Sequence, residues 1–423
     1  MNRITKWLIV AVLLASLAVV LFPRRVDRPF AVGAPLPAGK VPPQLAMTWD
    51  SAALVAPDGS LWAWGGSQFG LRAVFSNLTT TPVPIRVGNR SDWARVALGI
   101  NFSIAIKQDG SLWGWGSNSE GSLAGAPSNY VSQPWRIDGA NDWIDVRAGA
   151  SHVMAMKRDR SLWVWGQNRN GQIGDGTTNT CWKPLAVMTR PRWKAFAPGF
   201  FNSYAIAEDG SLWSWGLSHL VGAGRINRLA PVEMTPHGKW SSVSAGDYSL
   251  VAIRDDGTLW GGGQNLGNLA GAKATVVRSN ELVQISSSTN WAEVWVGQGV
   301  FIARRKDGSW WANNTSPAVL FLPAKDAEDE PGMRRIRADF DPWTVRMGMR
   351  STAFLARDGT LWSAGERLGE RGTVRWRDRF AVFIGRLKGS SRGAWPQPLI
   401  DNKPHYIWQV PAVNGGDSGS MGE

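Results

Sequence analysis

Asp109-Gly110-Ser111-Leu112-Trp113-Gly114-Trp115-Gly116 is the stretch on which the fold turns. An Asp-Gly pair between two β-favouring runs is a hairpin signature, because glycine supplies the positive φ that tight turns need. Ile104-Ala-Ile precedes the pair, and Leu112-Trp-Gly-Trp follows it with period-2 alternation. The same phrase begins at Asp58 and Asp209, and at Asp159 with Arg160 in place of the glycine. Weaker copies begin at Asp256, Asp307 and Asp358. Successive spacings of 51, 50, 50, 47, 51 and 51 residues make seven units of nearly fixed length.

A second phrase precedes most copies, as Trp93-Ala-Arg-Val, Trp143-Ile-Asp-Val, Trp193-Lys-Ala-Phe, Trp240-Ser-Ser-Val and Trp291-Ala-Glu-Val. Glycines follow at Gly99, Gly149, Gly199, Gly246, Gly297 and, in the seventh unit, Gly348. A further apolar run sits beside a proline, as in Pro134-Trp-Arg-Ile and Pro184-Leu-Ala-Val. Each unit therefore reads as four short strands. Solenoids of helices are excluded, because nothing after residue 30 sustains a 3.6-residue period. Four strands repeated seven times predict an all-β, seven-bladed β-propeller. Wide indoles suit the gaps between stacked sheets, and Trp163 is expected to pack there. The first unit lacks the opening tryptophan, whose place falls at Pro42. Phe380-Ala-Val-Phe-Ile or Tyr406-Ile-Trp-Gln-Val is therefore expected to complete blade one or cover its edge.

Trp165-Gly-Gln-Asn-Arg-Asn-Gly-Gln-Ile-Gly-Asp-Gly176 resembles the W-G-x-N-x-x-G-Q-x-G-x-G phrase of the regulator of chromosome condensation (RCC1) repeat family. Trp115-Gly-Ser-Asn-Ser-Glu-Gly-Ser-Leu-Ala-Gly keeps it in part, and units six and seven have largely lost it. The resemblance spans roughly residues 45–390 and implies the propeller without implying one function, since propellers carry many unrelated sites. It also offers precedent for exported members that bind another protein through their loops.

Charge and composition narrow the field. The formal charge is +13, but residues 41–330 hold 25 basic and 23 acidic side chains. Residues 331–403 hold fifteen basic against seven acidic, and residues 1–40 six against one. The nearly neutral body argues against nucleic acid as a partner. A lone Cys181 and four histidines exclude a disulfide framework and speak against a metal centre. No cofactor or metal is expected.

Trp7 to Phe22, WLIVAVLLASLAVVLF, is sixteen residues without a charge, flanked by Arg3, Lys6, Arg24 and Arg25. It reads as a transmembrane anchor or a signal segment within residues 1–28. A proline-rich linker follows over 29–44, then the propeller over 45–400. A tail over 401–423 either helps to close the ring or stays disordered. The expected location is the cell envelope, with the propeller outside the cytoplasm, tethered or secreted after cleavage.

Chemistry is sparse. Gly416-Asp417-Ser418-Gly419 mimics a serine-protease segment but lies at a small-residue terminus without matching histidine context. The seven turn aspartates read as turn formers rather than calcium ligands. The acidic run Asp326, Glu328, Asp329 and Glu330 reads as a solvated loop. Gly261-Gly262-Gly263 lacks the lysine and helix of a phosphate loop. His152 is placed level with Ser103, Ser203 or Ser249 of other units, as a structural strand residue, and Cys181 in a loop. No catalytic residue is expected, and the chain is not read as an enzyme.

Tryptophans outside the repeat phrases, Trp135, Trp182, Trp295, Trp343, Trp376, Trp395 and Trp408, are candidates for exposed contacts. Arg375, Arg377 and Arg379 alternate about Trp376 on one face of an extended segment, with Arg367 and Arg371 nearby. They form either a charged edge that blocks aggregation or a face for an acidic partner or anionic lipid. The leading functional expectation is a membrane-tethered or exported propeller that binds another protein through its loops. The alternatives are an exchange factor for a guanine-nucleotide-binding protein, and a protein that binds or processes cell-wall glycan.

Overall fold

The computed structural model describes residues 39–365 and 405–406, apart from 50, 67–79, 188–191, 219–225, 235–237, 248, 264–281, 298–299, 314–331, 337–341, 349–350 and 358. Within them, seven antiparallel sheets of four strands each follow chain order from first strand to fourth. Blade three is representative: Trp143–Ala148, His152–Lys157, Leu162–Gly166 and Cys181–Ala186.

First strands form the inner ring. They are Gln44–Met47, Trp93–Leu98, Trp143–Ala148, Trp193–Pro198, Trp240–Ala245, Trp291–Val296 and Pro342–Met347. Each meets the first strand of the next blade, and the seventh meets the first, so the ring is closed. Seven apolar clusters occupy the seven gaps between blades. The cluster between blades seven and one joins Leu45, Leu54 and Trp64 to Ala353, Leu355 and Leu361.

Two features of the repeat explain the closure. Glycine ends the first strand because neighbouring chains nearly touch at the axis: a Cβ on Gly149 would lie 2.5 Å from the Gly199 carbonyl oxygen. Gly110 sits in the Asp-Gly turn at φ +80, and its Cβ would lie 2.2 Å from the Asn141 carbonyl oxygen. Arg160 takes the same left-handed conformation at φ +69 without that freedom.

Blade one does not borrow a strand. Gln44–Met47 pairs with Ser51–Val55 although Pro42 stands where five other units carry tryptophan. The carboxyl-terminal pair His405–Tyr406 instead joins the third strand of blade seven, opposite Ser363 and Trp362. For the Tyr406 piece, the expectation that it serves blade one is thereby corrected. A strand needs only backbone partners, and the missing tryptophan leaves the ladder intact. Residues 380–384 lie outside the described residues.

Among the described residues no helix is long and apolar enough to cross a membrane, and the apolar segment 7–22 lies outside them.

Candidate binding surfaces

Alternation of strand direction gives the ring two unlike faces. One carries the turns between second and third strands, which are the Asp-Gly pairs, and the connections from blade to blade. The other carries the axial glycines and the long connections between third and fourth strands.

On the first face the repeat phrase is a hydrogen-bonded relay. Asp109 Oδ1 accepts the Ser111 backbone N–H at 2.9 Å and its hydroxyl at 2.5 Å. Ser111 Oγ in turn accepts the Trp113 Nε1–H at 2.7 Å. The relay recurs from Asp159 through Ser161 to Trp163 and from Asp256 through Thr258 to Trp260. The hydroxyl bonds, then the backbone ones, hold the Asp109, Asp159, Asp256 and Asp307 carboxyls below their ordinary range. These oxygens serve the turn, as the sequence suggested. Among the described residues no group of three or more His, Cys, Asp or Glu side chains is placed to hold a metal.

The turn also grips the next blade. Trp143 N–H donates to the Gly110 carbonyl at 3.2 Å, and Trp193 N–H to that of Arg160 at 2.9 Å. A basic residue just before the turn lies between two indoles. Lys107 Nζ stands 5.1 Å from the Trp93 ring centre and 4.2 Å from that of Trp113. Arg305 does the same between Trp291 and Trp311, at 4.6 and 4.4 Å. Part of the body's positive charge is thus structural.

On the second face, the Trp-Gly-x-Asn loops clasp successive blades. Asn168 Oδ1 accepts the Ile173 N–H, and its amide donates to Asp175 and to the Thr177 carbonyl. Gln172 offers its carbonyl to Trp215 Nε1 in blade four at 2.8 Å. Arg169 pairs with Glu120 of the blade-two loop at 3.0 Å. Those phrases hold the ring together, which accounts for their regularity without a ligand.

His152 stands opposite Gly166, where the other blades place Phe102 opposite Gly116 and Asn202 opposite Gly216. Its placement level with Ser103 and Ser203 was one residue out, while Ser249, opposite Gly263, is a true counterpart. It lies fully buried, with Nε2 3.0 Å from Ser203 Oγ. Because that hydroxyl donates to the Gln172 carbonyl, Nε2 is assigned the proton, leaving Nδ1 buried without a partner. Burial pushes its pKa down to about 4. Cys181 opens the fourth strand of blade three rather than lying in a loop. Its Sγ–H donates to the Lys183 carbonyl at 3.1 Å, and burial raises its pKa, so the thiol is unactivated.

Of the tryptophans offered for contacts, Trp135 and Trp182 are 37% and 47% exposed. Trp295 instead stacks on Trp310 at 5.0 Å, and Trp343 packs against the core between blades seven and one. Trp376, Trp395 and Trp408 lie outside the described residues. So do Arg367, Arg371, Arg375, Arg377 and Arg379, which fall between the third strand of blade seven and its partner His405–Tyr406.

Register adds Leu185 and Val232, which the sequence did not single out, to Trp135. Trp135, Leu185 and Val232 each follow a proline on a fourth strand and oppose Gly114, Val164 and Ser214. With Tyr130 and Trp182 they expose large apolar side chains on three consecutive blades. Pro134, Pro184 and Pro231 remove donors from these outer edges, so strand addition is blunted while side-chain docking is not.

Two models described as Regulator of chromosome condensation (RCC1) repeat match this part of the ring. One covers residues 93–122 and 143–172, the other 109–156 and 159–206. The chain is an RCC1-repeat propeller. The X-linked retinitis pigmentosa GTPase regulator homolog of Caenorhabditis elegans is 35% identical over 71 residues, which are 16% of the propeller chain and 5% of that protein. Human WBSCR16 is 17% identical with a TM-score of 0.62, covering 74% of the RCC1-repeat chain and 87% of its own. Prp20p of Saccharomyces cerevisiae is 15% identical with a TM-score of 0.62, over 89% and 88% of the two chains. Yeast RCC1 (Prp20) bound to Kap60 gives 15% and 0.61, over 81% and 86%. At such identities the likeness is one of fold.

Proposed function

We propose that this RCC1-repeat propeller is a protein-binding module that docks its partner on the outer wall of blades two to four. The observation that carries the reading is the row of exposed Tyr130, Trp135, Trp182, Leu185 and Val232. Rigid aromatic anchors are what hot spots use, and exposed large apolar side chains recurring on three consecutive blades suit such a role. Similar propellers are protein binders: Prp20 has been seen with Kap60, and its binding to Gsp1p and histones has been characterised. Their partners are not carried over, and no feature of the described residues favours nucleotide exchange.

A photo-crosslinking residue at position 135 or 182 of the full-length chain, in its own cells, should give one discrete protein adduct. The same probe at exposed Arg158, on the turn face, should not. Absence of an adduct from both wall positions, or an identical one from position 158, overturns the docking wall.

We further propose that residues 7–22 hold the chain at a membrane with the propeller outside the cytoplasm, supported by the uncharged apolar run. Deleting residues 1–28 should release a soluble, folded propeller, since among the described residues the first backbone hydrogen bond to the ring is the Val41 N–H donating to the Pro57 carbonyl. A truncated chain that stays in the membrane fraction refutes the anchor.

A further inference from the structure

Arginine stands in blade three where the other six Asp-Gly turns keep glycine. Gly59, Gly110, Gly210, Gly257, Gly308 and Gly359 lie at φ between +78 and +86, and Arg160 lies at +69. Glycine adopts that left-handed conformation freely, whereas a long side chain is strained in it. In three turns a Cβ would also crowd the connection to the next blade. It would lie 2.3 Å from the Ser91 carbonyl oxygen at Gly59, 2.2 Å from that of Asn141 at Gly110 and 2.0 Å from that of Thr289 at Gly257. Ala124 is the other non-glycine residue with positive φ among the described residues, and it is buried and uncharged. Arg160 is exposed. Strain retained under an exposed, charged side chain points to a use outside the fold.

The carboxylates around this turn are already engaged. Asp159, between exposed Arg158 and Arg160, accepts the Ser161 backbone N–H at 2.9 Å and its hydroxyl at 2.6 Å. Asp142 pairs with Lys157 at 3.1 Å. Neither Arg158 nor Arg160 makes an ion pair among the described residues, and Arg160 Nη1 reaches the Met156 sulfur at 3.8 Å. Across the gap the Trp193 N–H donates to the Arg160 carbonyl at 2.9 Å, which sets exposed Arg192 beside the turn. Arg192 meets Glu208 at 4.0 Å with both side chains largely in water, a pair of little strength.

These arginines lie on the face from which the amino-terminal segment departs, since the Val41 N–H donates to the Pro57 carbonyl at the turn of blade one. Eighteen residues separate Phe22 from Val41. A chain held through residues 7–22 therefore turns this face, rather than the opposite one, toward the bilayer.

We propose that Arg158, Arg160 and Arg192 dock on the phosphate-bearing head groups of anionic lipid, a site that rests on the membrane anchor proposed above. Planar guanidinium forks match phosphate oxygens, and the attraction is screened by salt. The full-length chain is reconstituted in phosphatidylcholine vesicles with or without phosphatidylglycerol, each doped with a lipid carrying a photoreactive head group. Labelling of residues 158–160 and 192 should require phosphatidylglycerol and fall at high salt. Each arginine removed should cut it about fivefold, the ordinary effect of one basic residue at an anionic surface. Arg160→Gly should at the same time raise the melting temperature, because glycine takes the left-handed φ without strain. Arg192→Gln, outside the strained turn, should reduce labelling without that rise. A chain that inserts into neither vesicle removes the anchor and the patch together. A chain that inserts but is labelled at the turn equally with and without phosphatidylglycerol overturns the patch and leaves the anchor standing. Full labelling of Arg160→Gly does the same, and so does a protein adduct from the position-158 probe in cells.

Discussion

Replacing Trp165 with alanine should lower the stability of the propeller by about 3–5 kcal/mol, as expected for a large aromatic truncation in a packed core. The side chain has no exposed surface. It belongs to the cluster between blades two and three, where Leu123, Ile137 and Trp143 surround it. Its Nε1–H donates to the Ser122 carbonyl of the preceding blade at 2.9 Å, so truncation also orphans a buried acceptor. Trp182→Ala, on the outer wall, should change stability by no more than about 0.5 kcal/mol. Urea denaturation of the two variants decides the matter. Equal losses would show that the blade gaps are not where the tryptophans act.

Acidification should destabilise the fold through His152. The folded-state pKa of about 4 lies below the ordinary 6.5, so the native ring favours the neutral imidazole. The associated stability is fully present above pH 6.5 and is lost as pH falls toward 4. The loss is about 2 kcal/mol by pH 5 and about 3 kcal/mol by pH 4. Asn202 occupies the corresponding position in blade four, so His152→Asn is the substitution the scaffold already accommodates. Denaturant midpoints at pH 7 and pH 5 should converge in that variant and diverge in the parent. Identical pH dependence in both proteins would remove His152 from the account.

The architecture was legible because the signal was redundant. Asp109, Gly110, Ser111 and Trp113 are each required by one relay, and a relay repeated every 47 to 51 residues leaves little freedom in counting blades. Depth was harder to read. Trp163 and Trp165 alternate onto the same side of a strand, yet Trp165 is sealed between sheets while Trp163 is only half-buried. The relay through Ser161 and Asp159 holds Trp163 beside the turn, 5.0 Å from Lys157 Nζ. Spacing says which side a residue takes, not how far along the gap it sits.

Slippage by one residue at His152 has a similar origin. Its true reference is Gly166 across the hairpin, and partner register is invisible from one strand alone. The outer wall was legible only in part for the same reason. Trp135 and Trp182 stand out as unusual residues, whereas Leu185 and Val232 become notable only when register aligns them with Trp135. Strand ownership at the ends depends on which backbone edge is open, and the composition of residues 404–410 does not reveal it.

The direction of the first strand has a consequence for display. Residue 41 enters beside the Asp-Gly turn of blade one, so whatever precedes the ring departs from the turn face. Strand order then fixes the opposite face as the place where the third strand of blade seven ends at Gly365 and its partner begins at His405. A chain held by its amino-terminal end would accordingly stand like a drum on a short post, turns downward, with the variable connections on the upper skin. Length changes up there, beyond the clasping phrases themselves, cost the hoop little, because the relays that tension it repeat below and the apolar packing lies between the staves. Selection is free to retailor the drumhead while the frame stays as it is.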